Sequence, residues 1–230
     1  GDLAIIGLRA LSFGTLSWPQ AYALGFSLVF VSQGWVMLRV GKAVGLGPVA
    51  GIVAALLVMS DAGAYREGGW EYAVLYGVWP QTLATSLTWW ALAEIALAVQ
   101  ADDDTRRRRL TTAALAIAAS LLAHPMSMLS LALGGPLLVG MLGLWSRARL
   151  ERAVTTGLLA SVLGLSVAAW WIVPMFDHRA WMASYGWLWL PLEHMLRGAK
   201  TGHLAQNMPV AVTTVCGLGM VAVAIVGSRF

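Results

Sequence analysis

Residues 81–125 read QTLATSLTWWALAEIALAVQADDDTRRRRLTTAALAIAASLLAHP. An apolar segment (81–100) is followed by an acidic-then-basic run, DDDTRRRR (102–109), and by a second apolar segment (110–123). A helix needs about 20 mostly apolar residues to cross the hydrocarbon core of a bilayer. The pattern therefore predicts two membrane helices joined by a compact charged loop of the cytoplasmic side.

The composition of the whole chain agrees with a membrane location. Hydrophobic residues make up 59% of the chain, charged residues 11%, and the mean hydropathy is +0.72, whereas soluble domains are about 25% charged. This composition is not typical of a water-soluble fold. The single cysteine, Cys216, also excludes an internal disulfide and a thiolate metal cluster.

Segments of membrane-spanning character recur along the chain. The predicted spans are 20–38, 44–60, 81–100, 110–123, 126–145, 153–175 and 210–226. We expect an all-α, polytopic integral membrane helix bundle of about seven transmembrane helices, forming a single transmembrane domain over residues 1–230. The chain starts without methionine and stops just after an apolar segment, so we expect it to be part of a longer membrane protein.

The basic residues are sorted between the two sides of this arrangement. Ten of the fifteen lie in short connections: Arg39, Lys42, Arg106, Arg107, Arg108, Arg109, Arg147, Arg149, Arg152 and Arg229. The others, with all four histidines, fall on the opposite side. The positive-inside rule makes the first side cytoplasmic and predicts a multi-pass membrane protein. Basic clusters placed in this way do not indicate nucleic-acid binding.

The predicted outer loop at 61–80 carries a dense set of polar residues. Asp61, Arg66, Glu67 and Glu71 lie there, and Trp79 follows among other aromatic residues. Charged groups at this depth pair with each other or face a water-filled cavity. Two interpretations stay open, a structural network that caps helix ends and a set of substrate contacts. Trp79 is either an interfacial anchor or packing residue, or part of a substrate site.

Two further outer elements complete the predicted working face. His124-Pro125 leaves room for little more than a turn between two spans, so His124 is either a hydrogen-bonded turn residue or a general base. The second outer loop, 177–208, opens with Asp177, His178 and Arg179 and continues through 181–196 as an amphipathic segment typical of an interfacial helix.

Two acidic features fall outside the outer loops. Glu94 is an acid deep within a predicted span, and it indicates either a functional site or a pair with a hydroxyl or arginine on a neighbouring helix. Asp102 and Asp104 have a DxD spacing that binds metal-nucleotide in many soluble glycosyltransferases. The adjacent arginines favour a neutralised charged loop instead, so we assign no metal ligands and predict no cofactor, with a divalent metal left open.

Two segments carry a resemblance to a known family. DAGAYREGGWEYAVLYGVWPQTLA (61–84) and LLAHPMSMLSLALGG (121–135) resemble the bacterial polytopic membrane family labelled 6-pyruvoyl-tetrahydropterin synthase-related. That family is similar in hydropathy to the GT-C class of membrane glycosyltransferases, which use polyprenyl-phosphate sugars on the outer face. The resemblance implies that Asp61, Glu67, His124 and Asp177 surround an outer cavity.

The expected function follows from this resemblance. Asp61, or an acid upstream of this chain, would deprotonate an acceptor hydroxyl, with Glu67 and His124 as further catalytic candidates. Arg66, His124 or Arg179 would hold the lipid phosphate, and the remaining substrate-binding candidates are Glu71, Trp79, Asp177 and His178. The expected partners are membrane lipid, a polyprenyl-phosphate sugar and other membrane subunits. The alternatives are a non-catalytic subunit of a larger assembly and a lipid or polysaccharide transporter.

Overall fold

The computed structural model describes residues 2–60, 73–74, 77, 79–143, 146–178 and 180. Within these residues the protein is all-helical, as predicted, with seven helices. They are α1 (Asp2–Leu11), α2 (Trp18–Ala43), α3 (Gly47–Ser60), α4 (Trp79–Gln100), α5 (Asp103–Ala123), α6 (Ser127–Gly143) and α7 (Arg147–Asp177). The chain divides into two compact units, Gly1–Trp171 and Ile172–Phe230.

Three of the described helices are long and apolar enough to cross a membrane: α2 with 26 residues, α4 with 22 and α7 with 31. Helices α3 and α6 are apolar but shorter, with 14 and 17 residues. Leucine and valine side chains on α7, among them Leu158, Val162 and Leu163, are exposed. Exposed apolar faces on helices of this length are what a lipid environment solvates, and they are consistent with an integral membrane protein.

Helix α1 was not predicted from the sequence. It lies against α2, where Ile5 is buried in a cluster with Ala21 and Val29. The approach is close, because a Cβ built on Gly25 would lie 2.7 Å from Ile5 Cδ1. Near the α1–α2 connection, the Arg9 guanidinium of α1 lies 4.4 Å from the centroid of the Trp18 ring of α2, within cation–π range.

Helix α2 is longer than the predicted span 20–38 at both ends. At its start, Ser17 and Gln20 form a capping box in which each side chain accepts a hydrogen bond from the backbone amide of the other residue. At its end, the helix continues through Arg39 and Lys42 to Ala43. Lys42 lies in the last turn, where the helix dipole favours a positive charge.

The α2–α3 pair is a tight helical hairpin closed by glycines. Gly45 and Gly47 in the connection adopt φ angles of +74° and +76°, a left-handed region that glycine enters at little cost. Further along the pair, a Cβ on Gly51 would lie 2.8 Å from Leu38 Cα, and one on Gly41 would lie 3.0 Å from Gly51 Cα. The two backbones are thus in direct contact, as small residues allow between membrane helices.

The predicted cytoplasmic loop over 102–109 is wrong. Only Ala101 and Asp102 separate α4 from α5, and the rest of DDDTRRRR forms the first two turns of α5. The Asp102 side chain caps the helix by accepting the Thr105 amide at 2.9 Å. That hydrogen bond is the main cause of a lowered pKa at Asp102. Acidic residues suit a first turn and arginine is a good helix former, so the run stays helical.

Helix α4 is central, packing against α2, α5 and α6. Both α4 and α5 carry small buried side chains, including Ala91 and Ala98 on α4 and Ala113 and Ala118 on α5. Helix α7 also approaches α5 closely, since a Cβ on Gly164 would lie 2.7 Å from Ile117 Cγ2. The short distances across these helix pairs bring the polar groups at their ends within reach of one another.

Candidate functional site

Several residues of the predicted outer site lie outside the described residues. These are Asp61, Arg66, Glu67, Glu71 and Arg179, and the amphipathic segment 181–196 and the span 210–226 lie outside them as well. The structure does describe Trp79, His124, Asp177 and His178. The predictions for the first group therefore stay predictions.

Trp79 begins α4 and is buried, with 4% of its surface exposed. It belongs to the cluster that contains Ile5 and Ala21. The Tyr22 ring meets it edge-on, with ring centroids 6.1 Å apart and an interplanar angle of 87°. In the described structure Trp79 fills the contact of α4 with α1 and α2, which gives this side chain a packing role.

His124 ends α5 in a compact turn. Its backbone amide donates to Ser120 O at 3.0 Å, and its carbonyl accepts the Ser127 hydroxyl at 2.8 Å. The ring takes part too, because Nδ1 accepts the Met126 backbone amide at 3.3 Å. An accepting Nδ1 requires the proton of the neutral ring to be on Nε2. His124 therefore presents a donor at Nε2, while its basic lone pair is used in the turn.

Burial lowers the pKa of His124 below the ordinary histidine value. The folded protein therefore binds this proton more weakly than the unfolded chain does. The neutral His124 ring should therefore contribute its full share of the folding free energy above the unfolded pKa of about 6.5. That contribution should be lost as the pH falls from this value toward the folded pKa. An NMR titration, with the ring assigned by comparison with His124→Gln, should give a midpoint below that of a free histidine peptide. A midpoint at or above the free value would contradict the buried turn.

Asp177 and His178 lie at the end of α7, within the second compact unit. The His178 backbone amide donates to Pro174 O at 2.9 Å. Its ring Nδ1 also lies 2.9 Å from Pro174 O, so Nδ1 must carry a proton to donate there. The Asp177 carboxylate is 4.0 Å from the same nitrogen. The Pro174 carbonyl and Asp177 thus hold the ring in the opposite tautomer to that of His124.

A buried ionic cluster lies at the α4–α5 connection. Arg39 on α2 donates from Nε to Oε1 of Glu94 on α4, at 2.6 Å. Arg109 on α5 donates from Nη1 to Oε2 of the same carboxylate, at 3.1 Å. The Glu94 side chain is 2% exposed, whereas those of Arg39 and Arg109 are 31% and 20% exposed. We call these three residues the Glu94 cluster. Of the two interpretations of Glu94, pairing with arginines on neighbouring helices is the one that the structure shows.

Other arginines of the same region are also held in place. Arg106 Nη2 donates to the Thr156 hydroxyl of α7 at 3.0 Å. Arg152 on α7 donates to the carbonyl of Ala101, and it lies 3.8 Å from the Asp103 carboxylate. These contacts connect α7 to the α4–α5 connection. Positive charges that sequence reasoning placed in loops are thus used to fix helix ends.

A pocket of about 530 Å³ opens beside Arg39, at the end of α2 and the start of α3. It is lined by Trp35, Leu38, Arg39, Lys42, Gly45, Gly47 and Pro48. Among the described residues, the pocket lining includes two cations and no acid, so the site suits an anion with an apolar part. Sequence reasoning missed this pocket, although Arg39 and Lys42 three residues apart, followed by the closely spaced Gly45 and Gly47, were the available signal.

Among the residues that the structure describes, no three histidine, cysteine, aspartate or glutamate side chains are grouped as metal ligands. The described polar groups thus offer two kinds of chemistry, hydrogen-bond donation at His124 and anion binding beside Arg39. Neither the available protein-family models nor the characterised proteins and solved structures compared with this chain give a match.

Proposed function

We propose that this chain is the membrane domain of a GT-C-like glycosyltransferase, a multi-pass protein of the bacterial inner membrane with about seven spans. It would move a sugar from a polyprenyl-phosphate donor on the extracytoplasmic face. The observation that carries the proposal is the polarity of α5. This 21-residue helix carries four arginines in its first two turns and ends at Ala123, next to His124, so the two kinds of group mark its opposite ends. Its apolar part, residues 110–123, is about 21 Å long and separates the arginines from His124 by most of the roughly 30 Å hydrocarbon core.

The geometry of His124 also supports the proposal. In the transfer step the acceptor oxygen bonds to the anomeric carbon while the bond from that carbon to the lipid phosphate oxygen breaks. The acceptor proton goes to the Asp61 carboxylate, and the lipid phosphate leaves as an anion. A neutral His124 with its proton on Nε2 would donate a hydrogen bond to that phosphate. Its position in a turn thus favours phosphate binding over the general-base role.

The test is sugar transfer by the full-length protein reconstituted in vesicles that contain a radiolabelled polyprenyl-phosphate sugar. Asp61→Asn removes the proposed base and should lower the rate by about 10²- to 10⁴-fold. Asp102→Asn is the matched control, because asparagine also caps helices well and Asp102 lies at the opposite end of α5 from His124. Its rate should equal that of the natural sequence.

Two results would contradict the proposal. If the natural protein consumes no lipid-linked sugar with any acceptor, catalysis is excluded, and the non-catalytic subunit or the transporter takes its place. If Asp61→Asn and Asp102→Asn are equally active, transfer does not depend on the Asp61 carboxylate and the assignment of the base is wrong.

A further inference from the structure

We infer that the pocket beside Arg39 binds the phosphate headgroup of an acidic phospholipid in the leaflet at the cytoplasmic end of α2. The first argument is charge. Arg39 and Lys42 are three residues apart on α2, so both fall on one face of the helix and both line the pocket. None of the described residues that line the pocket has a carboxylate. An anion between the two cations would be complementary to them.

The second argument is how Arg39 is held. Its Nε is fixed by Glu94 Oε1 at 2.6 Å, from the buried side of the cluster. Across the described part of the chain, Nη1 and Nη2 of Arg39 make no hydrogen bond. A guanidinium anchored through one nitrogen keeps a planar pair of donors in a set position, which is the geometry that recognises phosphate oxygens. Lys42 is exposed and adds a second, mobile donor.

The third argument is the apolar half of the pocket. Trp35, Leu38 and Pro48 line it together with the two cations, and Trp35 is 63% exposed. The pocket lies near the end of a helix long enough to span a bilayer, where tryptophan rings favour the headgroup zone. A soluble phosphate would leave the apolar lining unused, whereas a phospholipid places its glycerol and first acyl carbons against it. The occupant is therefore a lipid.

The inference depends on membrane embedding but not on sugar transfer, so the two can fail separately. The test is native mass spectrometry of the full-length protein in detergent, titrated with phosphatidylglycerol. Lys42→Gln should weaken binding about five-fold, the effect of one lysine near an anionic lipid surface. Arg149→Gln removes the same charge from an exposed position at the start of α7, away from the pocket. It should bind phosphatidylglycerol as the natural sequence does.

Phosphatidylcholine should bind more weakly than phosphatidylglycerol, and a large excess of inorganic phosphate should leave the lipid bound. Equal binding by Lys42→Gln and the natural sequence would overturn the inference. Equal losses in Lys42→Gln and Arg149→Gln would show diffuse attraction instead of a site. Displacement by inorganic phosphate would assign the pocket to a soluble anion. Lys42 has an exposed side chain, so circular dichroism should show unchanged helix content in its variant.

Discussion

Replacing Glu94 with glutamine is expected to lower the free energy of unfolding by about 3 kcal/mol. Removing one partner of a buried ionic cluster leaves the other charges without compensation, which costs about 3–5 kcal/mol. Arg39 and Arg109 are partly solvated, so the lower end of that range applies. The two arginines would also repel each other once the carboxylate between them is gone. Unfolding in mixed micelles, followed by circular dichroism as the denaturing detergent increases, measures this loss.

The matched control is the same substitution at Glu151. That carboxylate pairs with Arg147 one turn earlier on α7, at 3.2 Å, but the two side chains are 67% and 92% exposed. A helical pair of this kind contributes about 0.3–0.5 kcal/mol. Glu151→Gln should therefore change stability little. Similar losses for Glu94→Gln and Glu151→Gln would show that the Glu94 cluster does not hold α2, α4 and α5 together.

Replacing Gly51 with valine should separate α2 from α3. Even a Cβ at this position would lie 2.8 Å from Leu38 Cα and 3.3 Å from Met37 O. The obstacle is backbone, which cannot rotate away as a side chain could. Overfilling a packed contact costs about 1–3 kcal/mol, and a branched side chain should reach the upper end. The expected result is a lower unfolding midpoint in the same micelle titration, with α2 and α3 displaced in a structure of the variant.

Gly140→Ala on α6 provides the comparison for the glycine prediction. No atom lies within 4 Å of a Cβ built at that position. Alanine should be tolerated there and should slightly favour the helix, since glycine in a helix interior costs about 0.5–1 kcal/mol relative to alanine. If Gly51→Val is as stable as the natural sequence, the close α2–α3 approach is not needed for folding.

Hydropathy predicts where the helices are but not where they end. The spans 20–38 and 110–123 stop at the first charges, yet α2 continues through Lys42 and α5 begins at Asp103. Lysine and arginine are good helix formers, and an apolar-length rule does not detect this. The short helix α1 was missed for a related reason. Its ten residues are too few to span a bilayer, and its packing partners on α2 are not visible in the local sequence.

For the polar and aromatic residues too, the sequence predicts that a contact exists, but the partner is known only once the helices are packed. The acid Glu94 in an apolar segment predicts that some partner is present. The partner Arg39 is 55 residues away, so identifying it requires knowing how α2 crosses α4. At Trp79 the pattern was ambiguous, because a tryptophan at a helix start looks alike whether it faces lipid, substrate or a neighbouring helix. Here it packs against Tyr22.

The spacing of the Glu94 cluster along the chain has a consequence for biogenesis. Glu94 and Arg109 are 15 residues apart, on adjacent helices joined by only two residues. Contacts close in sequence form before distant ones, so α4 and α5 can neutralise this acid between themselves as they leave the ribosome. A hairpin paired in this way leaves no bare carboxylate at Glu94. Arg39 lies 55 residues from Glu94, on α2, so we expect its contact with Glu94 to form after the α4–α5 hairpin.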